Sequence, residues 1–231
     1  MRILSFLALL GCLPSAAHAS AVVIWPVDPV IKTGERATAL WLENKGDKPV
    51  TLQVRTFAWS QPNGEDQLDG QDGVIASPPI ATVAPGGRQL VRVIRRTSAA
   101  VPESCYRLLV DELPPPPVAG AGGPLQAALA VQMRYSIPLF TYAGADPLPR
   151  LDAHIGMSAA GHVLTIHNTG AMHARLTNLR LTANGHTVVV KEGLAGYVLP
   201  GATVVMPLPA GQSGQLTVGV NGTDQVLGAA I

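Results

Sequence analysis

Charge is scarce in this chain. Asp, Glu, Lys and Arg make up 13% of the 231 residues against 47% hydrophobic residues, and the formal net charge is +1. So apolar a chain with so little charge argues against disorder and against a nucleic-acid partner, and it leaves no field to steer a charged ligand. Cysteine is rarer still, with only Cys12 and Cys105. The apolar run at residues 3–13 is too short to span a bilayer, and no other stretch is long and apolar enough to do so. Helical periodicity beyond a turn or two is missing throughout.

The motifs of common chemistries are missing as well. There is no Gly-x-Ser-x-Gly elbow and no Gly-rich phosphate loop ahead of a helix. His154, His162, His167, His173 and His186 cluster in the C-terminal half, but their spacings match neither a helical His pair nor the usual zinc runs. They read as solvated turn or surface histidines. Asp111 and Glu112 are adjacent at the end of a strand-like run, so they point to opposite faces and cannot act as paired catalytic carboxylates. The expectation is a protein with no catalytic residue, metal ligand or cofactor.

What is present begins with an address. Met1 and Arg2, the apolar run and the small residues ending Ala17-His18-Ala19 form the three zones of a secretory signal peptide, residues 1–19, with cleavage expected after Ala19. Leu9-Leu10-Gly11-Cys12 also reads as a lipoprotein cleavage site, although the apolar run before it would be unusually short. After ordinary cleavage Cys105 is the only thiol. The exported chain then has no internal disulfide and depends on its core, with Cys105 read as a buried structural thiol rather than a nucleophile.

Period-two patterning covers the rest. Thr38, Leu40 and Leu42 alternate with Ala37, Ala39 and Trp41. Further runs follow at 50–59, 74–76, 88–96 and 105–113, with turn signals at Pro62-Asn63-Gly64 and Pro85-Gly86-Gly87. Pro26 and Pro29 interrupt the first run, which suits a strand that bends or changes sheets. One bond of Ser77-Pro78-Pro79 is a candidate cis peptide. Residues 143–149 have linker composition, and a second, smaller series of strands is separated by Asn184-Gly185, Pro200-Gly201 and Asn221-Gly222. The fold class is all-β, two immunoglobulin-like sandwiches in tandem, with domains at 20–144 and 145–231.

Residues 124–142 organise this plan. Leu125, Ala127, Leu129, Val131, Met133 and Tyr135 recur at every second position, which predicts one long strand with an apolar face, fed by the Pro/Gly-rich segment 114–123. An interior sandwich strand and an exposed edge able to pair with a partner both fit the pattern. Arginines stand on several predicted strands. Arg88 and Arg92, four apart, share a face and could together hold a carboxylate.

Residues 75–94, with Ser77-Pro78-Pro79 and Pro85-Gly86-Gly87-Arg88, and the run from Tyr106 through Asp111-Glu112-Leu113-Pro114-Pro115 resemble the periplasmic pilus chaperones of the chaperone–usher pathway. Leu40-Trp41-Leu42-Glu43-Asn44 matches that family's second strand, and the alternating stretch matches its G strand. Trp25-Pro26-Val27-Asp28-Pro29 and the run from Tyr135 to Phe140 look like the archaic branch, whose subunits are spore-coat-U-like pilins. The resemblance implies two sandwiches set as an L and donor-strand complementation. In that mechanism Leu125, Ala127, Leu129, Val131 and Met133 fill the groove of an incomplete pilus subunit, which is then delivered to an outer-membrane usher. The free edge also permits self-association of the unloaded chain. Classical members anchor the subunit's C-terminal carboxylate with an Arg in the first strand and a Lys in the G strand. Asp28 and Pro138 align there, so Arg134, with Arg88 and Arg92 behind it, becomes the candidate anchor. The alternative is a periplasmic or surface β-sandwich binding module, or a pilus subunit.

Overall fold

The computed structural model describes residues 22–97, 101–114, 132–144, 147–159, 161–208 and 214–228. Its first ten strands are β1 (Val22–Trp25), β2 (Val30–Ile31), β3 (Ala37–Asn44), β4 (Val50–Ser60), β5 (Gln67–Gly70), β6 (Val74–Ser77), β7 (Ile80–Val83), β8 (Arg88–Arg95), β9 (Glu103–Leu113) and β10 (Arg134–Tyr142). They form two sheets, β1-β3-β8-β6 and β2-β10-β9-β4-β5, with β7 also pairing β4. The interrupted first run does change sheets. β1 pairs β3 in one layer, and after Pro26 and Pro29 β2 joins β10 in the other. Cis bonds precede Pro26 and Pro78.

The period-two pattern is what the sandwich buries. Leu40, Leu42, Val91 and Val93 from one sheet meet Leu52, Val54, Leu108, Val110, Ile137 and Leu139 from the other. Each is below 9% exposed, so truncating one of the leucines to alanine should cost about 2–5 kcal/mol. The alternate residues Ala39, Trp41, Arg88 and Arg92 form the outer face of the first sheet.

The second sandwich has β11 (Leu151–Ser158), β12 (Gly161–Asn168) and β15 (Thr203–Pro207) in one sheet. Its other sheet has the order β14-β13-β16-β17, from β13 (Ala174–Ala183), β14 (His186–Val198), β16 (Gln215–Val220) and β17 (Thr223–Leu227). The Asn184-Gly185 and Asn221-Gly222 turns have positive φ at both residues, the type I′ hairpin geometry that dipeptide favours. The stretch from residue 190 to 198, with Gly193 and Gly196, breaks the period-two pattern. β14 runs through it as one strand, with positive φ at Gly193 and Gly196 and register shifts against β13 absorbing the irregular sequence. β5, β7, β11 and β17 escape a pattern search because their alternation is short or weak. β5 is exposed along its whole length and is held by backbone pairing to β4.

The core of the second sandwich is not wholly its own. Trp59 of β4 and Phe140 of β10 pack among Leu164, Leu176, Val198 and Leu199. Two aromatic side chains of the first unit therefore lock it to the second.

Candidate functional site: an open strand edge beside a cationic face

β10 pairs β9 antiparallel along its whole length, from Arg134 opposite Asp111 to Tyr142 opposite Glu103. Its other edge meets β2 only at Phe140 and Thr141, so among the described residues the backbone from Arg134 to Leu139 has no neighbour on that side. The expected long strand is described only from Arg134. Leu125, Ala127, Leu129 and Val131 lie outside the described residues. Met133 stands just before the strand, is 43% exposed, and accepts the Glu112 N–H at 3.0 Å through its carbonyl. Within β10 itself, Ile137 and Leu139 face the first sandwich's own core with Tyr135 packed against them, so these side chains are already committed.

The opposite face of the same sheet carries the polar groups. Strand pairing sets Gln53, Asp111 and Arg134 in one row, then Arg55, Leu109 and Ser136, then Phe57, Arg107 and Pro138. In the first two rows Asp111 is gripped twice. Arg134 Nε donates to one carboxylate oxygen, and Arg55 donates to the other from Nη2 at 2.8 Å and Nε at 3.1 Å. Desolvation opposes the charged Asp111 carboxylate, but the hydrogen bonds and charges of Arg134 and Arg55 outweigh it and hold the carboxyl below its ordinary pKa. Gln53, Glu112, Met133 and these charged residues line a cavity of about 390 Å³ at this end of the sheet.

In the third row Arg107 lies directly opposite Pro138. Its guanidinium stacks 3.7 Å above the Trp59 ring and 5.4 Å from the Tyr197 ring of the second sandwich. The Arg107 side chain is 13% exposed, and its one hydrogen-bond acceptor among the described residues is Asp66 Oδ2, at 3.5 Å from Nη2. Burial pulls the guanidinium pKa down, with Asp66 and Tyr197 opposing, and an arginine so placed stays charged.

The other two candidate cations are elsewhere. Arg88 and Arg92 do share a face, but it is the outer face of the first sheet, not the sheet of β10. Arg88 bonds Glu43 at 3.2 Å and lies over Trp25, which in turn stacks on Trp41. Arg107 carried no local mark beyond being a strand arginine. Only the β9–β10 register sets it beside Pro138.

Beyond the third row the sheet runs into the junction between the sandwiches. Here one histidine departs from its expected surface role. His173 is 7% exposed, its ring lies flat on Phe140 at 3.5 Å, and Glu103 accepts its backbone N–H at 2.8 Å while facing its Nδ1 at 2.7 Å. His173 is buried because Glu103, itself 5% exposed, needs partners that close the seam. Cys105 Sγ donates to the same carboxylate at 3.4 Å, and burial, followed by the Glu103 charge, pushes its thiol pKa far up. Cys105 itself is half-buried, less enclosed than the buried thiol expected from the sequence. Among the described residues no three His, Cys, Asp or Glu side chains converge on a metal-sized site.

A two-sandwich chain whose last N-terminal strand offers an open edge beside a cationic face is of the class that lends a strand to another protein. The chain belongs to the pili and flagellar-assembly chaperone family, whose PapD N-terminal domain profile matches residues 21–142. Among solved structures it is similar to the complex of CsuC with the tip adhesion subunit CsuE from the archaic chaperone–usher Csu pili of Acinetobacter baumannii, with 28% identity over 90% of this chain and 97% of that one and a TM-score of 0.72. The Salmonella enterica complex of SafA pilin with the SafB chaperone gives 16% identity over 93% and 98% of the chains, with a TM-score of 0.63. The Pseudomonas aeruginosa CupB2 chaperone gives 18% over 89% and 100%, with a TM-score of 0.61. These last two speak for the fold alone. A search of curated proteins finds no match.

Proposed function

We propose that this chain is an exported chaperone that captures pilus subunits of the archaic, spore-coat-U-like type by donor-strand complementation, keeps them from polymerising and hands them to an outer-membrane usher. The open edge of β10 carries the reading. Six residues of a core strand, Arg134 to Leu139, have no strand paired on their second edge among the described residues, and such an edge invites strand addition. Upstream, the alternating Leu125, Ala127, Leu129, Val131 and Met133 supply the apolar side chains for the subunit's groove. Each large one would contribute about 1.5–3 kcal/mol when fully buried, and Ala127 much less. The signal at residues 1–19 takes the chain to the periplasm, where chaperones of this pathway work.

The subunit's terminal carboxylate needs a cation that is close to β10 and short of acceptors. Arg134 is close, but Asp111 already holds it. Arg107 is opposite Pro138, desolvated on Trp59, and engaged only by one long contact. It is therefore the anchor this reading favours, with Arg134 second and Arg88 and Arg92 last.

Two experiments test the proposal. Tagged wild type should co-purify from periplasm with a small subunit co-expressed with it, whereas Leu129→Asp combined with Val131→Asp should stay folded and bind none, because a carboxylate enters an apolar groove only at large cost. A folded double mutant that still captures subunit defeats the donor assignment. Against the co-purified subunit's C-terminal strand peptide, wild type should prefer the free acid over the amide, and Arg107→Ala should erase that preference. A preference surviving in Arg107→Ala but lost in Arg134→Ala returns the anchor to Arg134.

A further inference from the structure

Arg107 is held, in the free chain, by a carboxylate suited to leaving. The segment 61–66, which follows β4 and contains the 3-10 turn Pro62–Gly64, is strapped to the second sandwich. The Gln61 side chain donates to the Tyr197 carbonyl at 3.0 Å and accepts the Leu199 N–H at 2.9 Å. Gly64, at φ +82°, packs so near the Thr203 carbonyl that a Cβ there would sit 2.7 Å from the oxygen. From this anchored loop Asp66 reaches back to the first sandwich. Its Oδ1 accepts Gln61 Nε2 at 2.9 Å, and its Oδ2 meets Arg107 Nη2 at 3.5 Å.

The two partners are unequally placed. The Arg107 side chain is 13% exposed, and the Asp66 side chain is 50% exposed. A guanidinium has five N–H donors and binds a carboxylate best through two parallel short bonds. Asp66 fills one donor, at the long limit of a hydrogen bond. The remaining Arg107 nitrogens are not sealed in, since the fully buried partnerless polar side-chain atoms among the described residues are Trp59 Nε1 and Thr141 Oγ1. Asp111, by contrast, is locked between Arg55, at 2.8 Å, and Arg134, with 12% of its side chain exposed. The same sheet thus holds one tight carboxylate–arginine set and one loose one, and the loose one lies opposite Pro138.

Resting on the assignment of Arg107 as the subunit anchor, we propose that Asp66 is an intramolecular placeholder. Its carboxylate occupies the Arg107 site in the unloaded chaperone and is displaced by the terminal carboxylate of the incoming subunit. Displacement is easy because Asp66 already faces water and loses one weak contact, while the arriving carboxylate can make two parallel bonds along one edge of a desolvated guanidinium. The loop itself stays put through Gln61 and Gly64. Asp66 therefore lowers the affinity of the site for carboxylates in general and keeps a half-buried cation from resting unpaired.

A structural ion pair and a placeholder predict opposite signs. In the full chain, the Arg107 side-chain resonances are followed by NMR during titration with sodium acetate, against sodium chloride at matched ionic strength and against acetamide. Asp66→Asn keeps an acceptor for Gln61 and removes only the charge. It should tighten acetate binding at Arg107 by about two- to fivefold, the range expected for losing one exposed ion pair. The acid-over-amide preference for the subunit's C-terminal peptide should widen by a similar factor, and Asp66→Ala should behave alike. Unchanged or weaker acetate binding in Asp66→Asn, with the thermal transition kept, overturns the placeholder and leaves the anchor standing. Absence of any acetate-specific shift at Arg107 in both proteins overturns the anchor and the placeholder together.

Discussion

Asp111 shares one carboxylate between two arginines on neighbouring strands, and its pKa is held low as a result. The sign of the linkage follows. The stabilisation it gives is present above the unfolded carboxylate value, about 3.9, and is lost as the pH falls through the lower folded value. Asp111→Asn should therefore be less stable than wild type at neutral pH, and the gap should shrink as the pH drops below about 4 and close below the lowered folded value, where wild type carries a neutral carboxyl too. Urea unfolding of both proteins across that range measures the gap. A gap independent of pH would mean that the amide disturbs packing rather than charge. At this scale the sequence was legible only in part. The opposite facing of Asp111 and Glu112 follows from strand alternation and is seen, since Asp111 meets the arginines while Glu112 accepts the Tyr135 hydroxyl at 3.3 Å. The partners Arg55 and Arg134, at separations of 56 and 23 residues, come from pairing register, which alternation does not supply.

β10 is one strand with two environments. From Tyr135 its inward side chains belong to the chaperone's own core, whereas Met133 is exposed and the residues upstream are the proposed donor set. Aspartate at Ile137 should therefore unfold the first sandwich, because a charge buried there costs several kcal/mol out of a total stability of about 5–15 kcal/mol. The same change at Leu129 should leave the melting transition where it is. Circular dichroism melts of the two variants separate them, and equal loss of structure in both would place Leu129 in the core. Sequence could not find this division, since Met133 and Ile137 have the same parity and similar hydrophobicity. The division is made by β9, against which β10 is paired, and by the facing sheet that covers Ile137.

The two sandwiches share aromatic side chains at the scale of the molecule. Phe140 belongs to a strand of the first unit, yet its ring lies on His173 and in the core of the second. Phe140→Ala should cost about 3–5 kcal/mol, and the loss should appear in the second sandwich. Hydrogen exchange offers the check, with faster exchange expected at amides of β12 and β13. Loosening confined to β9 and β10 would show that the ring serves only its own unit.

By itself the sequence determined the all-β class, the paired sandwich organisation, the strands with strong alternation, the hairpins at Asn184-Gly185 and Asn221-Gly222, the sheet change at Pro26 and Pro29, and the family. All of these are written in spacings of a few residues, because backbone alternation and turn geometry are local. Tertiary structure alone decided which edge stays open, that Arg88 and Arg92 stand on the other sheet, that Arg107 comes to Pro138, that His173 is buried against Glu103, and that Asp66 reaches Arg107 from a loop tied to the second sandwich. Each of these depends on which strands become neighbours and in what register, and that is settled by burying two cores at once rather than by any short stretch of chain.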